Sequence, residues 1–553
     1  MVRVLQGSAA CLLAVVVFVV AAGAAGDSAL TKAVKAGDLQ TVRALIKSGT
    51  DVNARSGDGS TPLLWAAHNS NREIASALIA SKASVDVAND YGITPLLEAS
   101  GTGDVAMMEV LLKAGANPSL ARPEGETPLL AAARSGSVPA VKLLIAHRAD
   151  VNAAETYQQT TPLMWAVAEN HLDVAELLIE AGADVNRQAH VSTLTDRKNA
   201  DHPTGGFTAL MWAARDGNET MVRRLVARGA NVNLKNGDGA SAAMIAIYND
   251  YFDVAAALID LGSDVNDGSL YVAVEMRDAT TDQFAFDGSR RRPNHDNKHT
   301  ALDLMTMLLE KGADPNRTFV GQLHSASMPN TDRFDNTPFF RAAIAADVEA
   351  LKVLVKHGAK LDLTPYVDPD IKPEEKVAGI QPTQGRRTAN PNAGKTAAMV
   401  AMTGGRGPAM TGGPGYIREG AAPYREPGSR KPEDAFALLL ASGADPNAKD
   451  PNGAPLLHQA ARSGNLEMIR ALASAHVDFN QKNKDGFTAL DVAEGKQPPA
   501  RGAGPGGGGP PPGGPRRGGR GASQQDVAKL LRELMGLPPA PAAPAATTAE
   551  AHQ

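Results

Sequence analysis

One short phrase returns at a fixed interval and constrains everything else. Gly59-Ser60-Thr61-Pro62-Leu63-Leu64-Trp65-Ala66-Ala67 is followed 33 residues later by Gly92-Ile93-Thr94-Pro95-Leu96-Leu97, and after another 33 by Gly125-Glu126-Thr127-Pro128-Leu129-Leu130. Self-similarity at a period of about 20–50 residues marks a repeat architecture, in which each unit buries its apolar face on its neighbours. The phrase also says where a helix starts. The Thr hydroxyl can cap the first turn, and Pro suits the first helical position because its φ is preset and its missing N–H has no partner there.

A second phrase, Leu-Ile-x-x-Gly-x-Asp-Val-Asn or a variant, ends each unit. It recurs around Gly49, Lys82, Gly115, Arg148, Gly182, Gly229, Gly262, Gly312, Gly358, Gly443 and His476, at intervals of 33, 33, 33, 34, 47, 33, 50, 46, 85 and 33. Glycine there is free to take the left-handed conformation just past a helix, so Lys82, Arg148 and His476 should cost a little stability. Every interval well beyond 33 is insertion. Between the two phrases each unit reads as two short helices, with Val105, Met108, Val110, Leu111 and Leu112 forming the apolar side of one second helix.

These residues resemble the ankyrin repeat family, whose signature runs Gly-x-Thr-Pro-Leu-His-x-Ala. The signature His is Leu64, Leu97, Leu130 or Met164 here and survives only as His458. The resemblance implies an all-α solenoid of stacked helix-turn-helix units with β-hairpin-like fingers: eleven units plus an interrupted twelfth, with insertions in the second half. Residues 1–26 read as a signal peptide, with Arg3, an apolar stretch from Cys11 to Val20, and Ala22-Gly23-Ala24 for cleavage. Residues 27–266 are regular repeats, with an N-terminal cap at 27–53 and an insertion at 187–205. Residues 267–494 are repeats carrying insertions at 279–299, 317–334, 364–393 and 403–431. A Gly/Pro/Arg-rich loop (495–522), a capping helix (523–537) and an Ala/Pro-rich tail (538–553) complete the chain.

Composition narrows the function. A formal charge of -5 gives no basic character for nucleic acid, and the one cysteine, Cys11, lies in the leader, so a mature chain has no thiol for disulfides, catalysis or metal. No Ser/His/Asp motif, zinc-binding helix or paired carboxylates stand out, and no catalytic activity, cofactor, metal or small-molecule substrate is expected. Lys395-Thr396 mimics the end of a phosphate loop, but Ala389 stands where its first Gly is needed and Thr396 aligns with the repeat Thr. His295 and His299, four apart, lack a third ligand. The clusters Arg290-Arg291-Arg292, Arg386-Arg387 and Arg516-Arg517-Gly518-Gly519-Arg520 have no interleaved aromatics and read as solvated loops.

The resemblance places the exposed concave surface beside the finger glycines and just after the Ala-Ala of each first helix. Carried onto this chain, the fingers give Arg55, Asp58, Asp90, Tyr91, Glu124, Glu126, Tyr157, Gln158, Lys235 and Asp238. The helix column gives His68, Asn69, Arg134, Ser135, Glu169, Arg215, Asp216, Tyr248 and Asn249. Mixed charge with interleaved Tyr suits a protein partner. Trp65, Trp165 and Trp212 share one repeat position and are expected as buried core between first helices. The reading is an exported, periplasmic or secreted scaffold, a monomer outside its complex. Its alternatives are an accessory or chaperone-like subunit of an exported enzyme, or an envelope-anchored structural protein if the leader is uncleaved.

Overall fold

A computed structural model describes residues 27–191, 205–277, 296–319, 337–364, 394–403, 428, 430–496 and 522–539. The leader, His295, the three basic clusters, most of the Gly/Pro/Arg-rich loop and most of the tail lie outside them. Among the described residues there are twenty-four helices in twelve consecutive pairs and only isolated β-bridges, so the architecture is an all-α array of ankyrin-type repeats.

The pairs are α1 (Ala29–Lys35) with α2 (Leu39–Lys47), α3 (Pro62–His68) with α4 (Arg72–Ala80), α5 (Pro95–Thr102) with α6 (Val105–Lys113), α7 (Pro128–Ser135) with α8 (Val138–Ala146), α9 (Pro162–Ala168) with α10 (Leu172–Glu180) and α11 (Ala209–Arg215) with α12 (Glu219–Ala227). There follow α13 (Ala242–Tyr248) with α14 (Phe252–Asp260), α15 (Ser269–Met276) with α16 (Ala301–Glu310), α17 (Pro338–Ile344) with α18 (Val348–Lys356), α19 (Ala397–Thr403) with α20 (Pro432–Ala441), α21 (Leu456–Ser463) with α22 (Leu466–Ser474) and α23 (Ala489–Ala493) with α24 (Gln524–Leu534).

The described chain divides into two compact units, one of residues 27–191, 205–246 and 260–262, the other of 247–259 and everything from 263 onward. In the first, the first helices pack in the order α1, α3, α5, α7, α9, α11, and the second helices in the order α2, α4, α6, α8, α10. In the second, α15, α17 and α19 make one row, and α16, α18, α20, α22 and α24 another.

The Thr-Pro phrase works as its chemistry requires. Thr61, Thr94, Thr127, Thr161 and Thr208 each accept the backbone N–H three residues on, at 3.1–3.3 Å, and Thr337 accepts that of Phe340 at 3.1 Å. The Leu after each Pro (or after Thr208-Ala209) is buried: Leu63, Leu96, Leu129, Leu163 and Leu210 are at most 1% exposed. Each contributes about 1.5–3 kcal/mol of burial, which sets the stacking register. On α6 the buried side is Met107, Met108, Leu111 and Leu112; Val105 and Val110 are only half-buried.

The Asn that closes the unit phrase ties neighbouring units together. Asn53 accepts the Ser84 N–H at 2.9 Å. Asn152 accepts the Asp184 N–H at 2.8 Å and donates to the Gly182 carbonyl at 3.2 Å. Asn186 makes the same pair of bonds to Asn231 and Gly229, and Asn316 to Lys360 and Gly358. One side chain thus satisfies two backbone groups of the next repeat, including a carbonyl at its helix end. Fingers are joined too, through Asp90 N–H to Asp58 O (3.0 Å), Thr156 N–H to Glu124 O (2.8 Å) and His190 N–H to Gln158 O (2.8 Å).

Insertion roots are fastened to the repeats. Residues 187–191 and 205–207 form the base of an extended finger, with Ala189 N–H on Phe207 O at 2.9 Å and Val191 bridged to Gly205. Asn297 donates to Asp250 O at 2.8 Å, and the Lys298 and His299 N–H groups both donate to Asp253. Thr396 immediately precedes α19, in the repeat register.

Candidate protein-docking surface

Counting from the residue that caps each first helix, two columns of side chains meet across repeats. The residue seven after the cap reaches the residue four after the cap of the next unit. Lys35 Nζ lies 3.9 Å from the centre of the Trp65 ring, His68 Nδ1 lies 2.8 Å from Glu98, and the Arg134 guanidinium lies 5.4 Å from the Trp165 ring centre. Arg215 instead covers its own unit's Trp212, at 4.5 Å. Each cation–π pair contributes about 0.5–2 kcal/mol, depending on how dry it is.

The tryptophans are therefore not the buried core the sequence suggested. Trp65, Trp165 and Trp212 are each half-buried, with a base over the ring. Position four faces the edge between repeats, where a long cation at a helix end, the neighbour's for Trp65 and Trp165 and its own for Trp212, covers it. Trp165 donates its Nε1–H to Glu155 at 3.1 Å, and Trp65 meets the His68 ring edge-on at 5.5 Å.

Most of the expected surface residues are exposed or half-buried. Arg55, His68, Asn69, Asp90, Tyr91, Glu124, Arg134, Ser135, Tyr157, Gln158, Glu169 and Asp216 are exposed, and Asp58, Arg215, Lys235 and Asn249 are half-buried. Three are not. Glu126 is buried because the residue just before the capping Thr turns inward as the chain enters the helix; it is held by Arg122 at 3.0 Å and Arg134 at 2.8 Å. Asp238 is 9% exposed. Tyr248, at the end of α13, is 1% exposed.

Many exposed charges are already engaged: Arg55 with Asp90 at 3.4 Å, Arg122 with Glu124 at 3.4 Å, and Arg215 with Asp216 at 3.1 Å. Such solvent-facing pairs add little stability but fix the surface chemistry. The reading from sequence missed Lys35, Glu98, Arg122 and Glu155. Lys35 and Glu98 were findable, since they occupy positions seven and four of the same register.

The aromatic anchors stand apart. Among the described residues, the exposed large apolar side chains are Tyr91 (67%), Tyr157 (75%), Val191 (38%) and Leu537 (41%), and the first three lie on fingers of the first unit. Among the same residues no group of three or more His, Cys, Asp and Glu could hold a metal, and no helix is long and apolar enough to cross a membrane. His299 is engaged by Asp253 at 2.7 Å.

The chain matches the family profile described as Ankyrin repeats (3 copies) over residues 30–122, 103–189, 191–269 and 429–498, more than half its length. It is 48% identical over 56 residues to Alpha-latroinsectotoxin-Lt1a of Latrodectus tredecimguttatus, which covers 10% of this chain and 4% of the toxin. It is 44% identical over 61 residues to Ankyrin repeat domain-containing protein 37 of Xenopus tropicalis, covering 11% of this chain and 37% of that protein. Similar solved structures are the human ASB11 ankyrin repeat domain (27% identity, TM-score 0.36, 43% of this chain and 99% of that one). The ankyrin repeat domain of Bcl-3 is alike to the same degree (26%, 0.37, 42% and 99%). Repeats of this kind are generally protein–protein interaction modules and typically non-catalytic. On the profile match, the chain belongs to the ankyrin repeat family.

Proposed function

We propose that this protein is an exported scaffold that docks a protein partner on the fingers and first-helix ends of its first unit. The carrying observation is the placement of Tyr91, Tyr157 and Val191, exposed on fingers of one unit, beside helix ends whose charges are fixed in register. Exposed Tyr on a rigid support makes an effective anchor, because little conformational entropy is lost on binding. Export rests on Arg3, the apolar stretch after it and the small residues at 22–24.

The test is a double substitution, Tyr91→Ala with Tyr157→Ala, in the full chain. Cross-linking in the native envelope or secreted fraction should identify a partner whose affinity for the double variant falls at least about 10-fold, each anchor being worth roughly 1–2 kcal/mol. Unchanged affinity at unchanged melting temperature refutes the surface. Reversing Arg134 is a poorer probe, because a carboxylate there would face buried Glu126 and uncover Trp165. Sequencing the mature N-terminus tests leader cleavage separately: a start near Ala25 or Asp27 shows cleavage, and a start at Met1 on an envelope-fraction protein replaces it with an uncleaved anchor.

A further inference from the structure

The register that leaves first-helix ends open in the first unit finds two of them closed in the second, on α15 and α17, while Arg462 and Ser463 at the end of α21 are exposed as in the first. Seven and eight residues after the cap, the first unit shows His68 and Asn69, Arg134 and Ser135, and Arg215 and Asp216, of which all but half-buried Arg215 are exposed. The same places on α15 and α17 hold Glu275 and Met276, then Ile344 and Ala345, and all four are 7% exposed or less. The pairing rule itself survives. Glu275, at position seven, meets Arg341, at position four of the next unit, as His68 meets Glu98, but this pair is buried.

Beside it lies a second buried cluster built on Asp347. The carboxylate caps α18 through the Ala350 N–H at 3.1 Å. It also takes both arms of Arg277, at 2.7 and 3.1 Å, and Arg430 at 2.6 Å. Arg430 further donates to the Arg277 carbonyl at 3.2 Å. Arg277 is the last described residue before one insertion and Arg430 follows another, and Gly428 lies so close to α18 that an added Cβ would meet Glu349 Cγ at 3.0 Å. The other second-helix caps with a carboxylate, Asp38 and Asp104, show no such guanidinium partners.

We infer that Asp347 is the keystone of an ionic latch that holds the chain's own residues, Arg277 and Arg430, at the ends of α15 and α17 and shuts that part of the first-helix face to partners. A buried ion pair adds little net stability against an apolar alternative, but losing one member strands charge in a dry site. That makes it a device for holding one arrangement. Here the arrangement brings the roots of two insertions, one before α16 and one before α20, to a single carboxylate. The latch stands independently of which partner the first unit binds.

The test reads access to the column directly. In a Cys11→Ser background, which removes the native thiol, Ile344→Cys reports on the closed face and Asn69→Cys on its open counterpart. The Ile344→Cys thiol should react with a water-soluble disulfide reagent at least about 10-fold more slowly than Asn69→Cys, in keeping with its burial. Adding Asp347→Asn, whose amide oxygen can still cap Ala350, should raise the Ile344→Cys rate at least 10-fold at unchanged helix content. If Asp347→Asn melts the unit, Arg430→Met decides, because it leaves the Arg277–Asp347 pair in place. Fast labelling of Ile344→Cys with the latch intact overturns the inference. So does a rate that no folded latch variant raises.

Discussion

Eight of the eleven unit ends carry Gly at the left-handed position after the second helix, at φ between 84° and 104°; Lys82, Arg148 and His476 carry φ of 66°, 63° and 58°. The end of α4 shows what is at stake. The Lys82 N–H bonds to Ile79 O at 2.9 Å and the Ala83 N–H to Leu78 O at 3.0 Å, the paired closure of a Schellman motif. A side chain at this φ costs about 1–2 kcal/mol, while glycine returns about 0.5–1 kcal/mol of that through the unfolded chain. The three side chains are exposed and make no hydrogen bond or ion pair among the described residues, so their removal loses no contact. Lys82→Gly, Arg148→Gly and His476→Gly should therefore each stabilise by about 0.5–1 kcal/mol, and the triple variant by about 2, since the sites lie in separate repeats. Gly115→Lys is the control: nothing lies within 4 Å of its added Cβ, so any loss, expected at about 1 kcal/mol, is backbone strain alone. Hydrogen exchange at the helix-end amides of the full chain reads each site locally, where global unfolding of a long array need not be two-state. Faster exchange at Lys82 and Ala83 in Lys82→Gly would refute the strain argument.

Asn152→Ala removes both bonds to the next unit and should cost about 1 kcal/mol, seen as faster exchange at Asp184; unchanged exchange there would show that the tie contributes nothing. His458 is buried against the Phe487 carbonyl at 2.8 Å, and burial pushes its pKa down. The unfolded chain then takes up a proton that the folded chain refuses, so stability falls as pH drops below the ordinary histidine value, by at most about 1.4 kcal/mol per pH unit. His458→Leu, the residue of three early repeats, should flatten the stability profile between about pH 7 and 5; a slope equal to wild type would contradict this. Hydrogen bonds from Lys496 and Thr488 lower the Asp491 pKa to about 2. That depressed pKa stabilises the last unit fully above the ordinary aspartate value, and the contribution, roughly 2 kcal/mol at most, is lost as pH falls toward 2. Asp491→Asn should reduce the acid sensitivity of α23 and α24, measured by exchange across that range, leaving the share of Glu494 and Asp526, whose pKa values are also lowered by their hydrogen bonds.

The repeat count and helix starts were legible because their causes are local. A Thr hydroxyl reaches an N–H three residues away, Pro fixes its own φ, and Gly answers for its own backbone. Eleven unit ends and a twelfth interrupted pair could be counted without knowing where any unit lies in space. Asn152 and Asn186 were legible as part of a phrase but not as ties, since their partners lie 32 and 45 residues on.

The surface was less legible, and the failures share one cause. Whether a residue is exposed depends on what the next repeat places opposite it. Trp65 and Trp165 looked like core because large aromatics usually are, but position four opens onto the inter-repeat edge and is finished by Lys35 and Arg134 from the unit before. Glu126 looked exposed beside a finger glycine, yet it is drawn in between Arg122 and Arg134. Pairing position seven of one unit with position four of the next recovers Lys35–Trp65, His68–Glu98, Arg134–Trp165 and Glu275–Arg341 in one step. It also sorts the helix ends: where the pair is solvent-facing they are exposed, and where it is buried, at Glu275 and Arg341, they are closed. The rule does not give Tyr248 or Asp347. Asp347 is buried with Arg430, which comes from outside the register, and a periodic sequence carries no signal for such a partner.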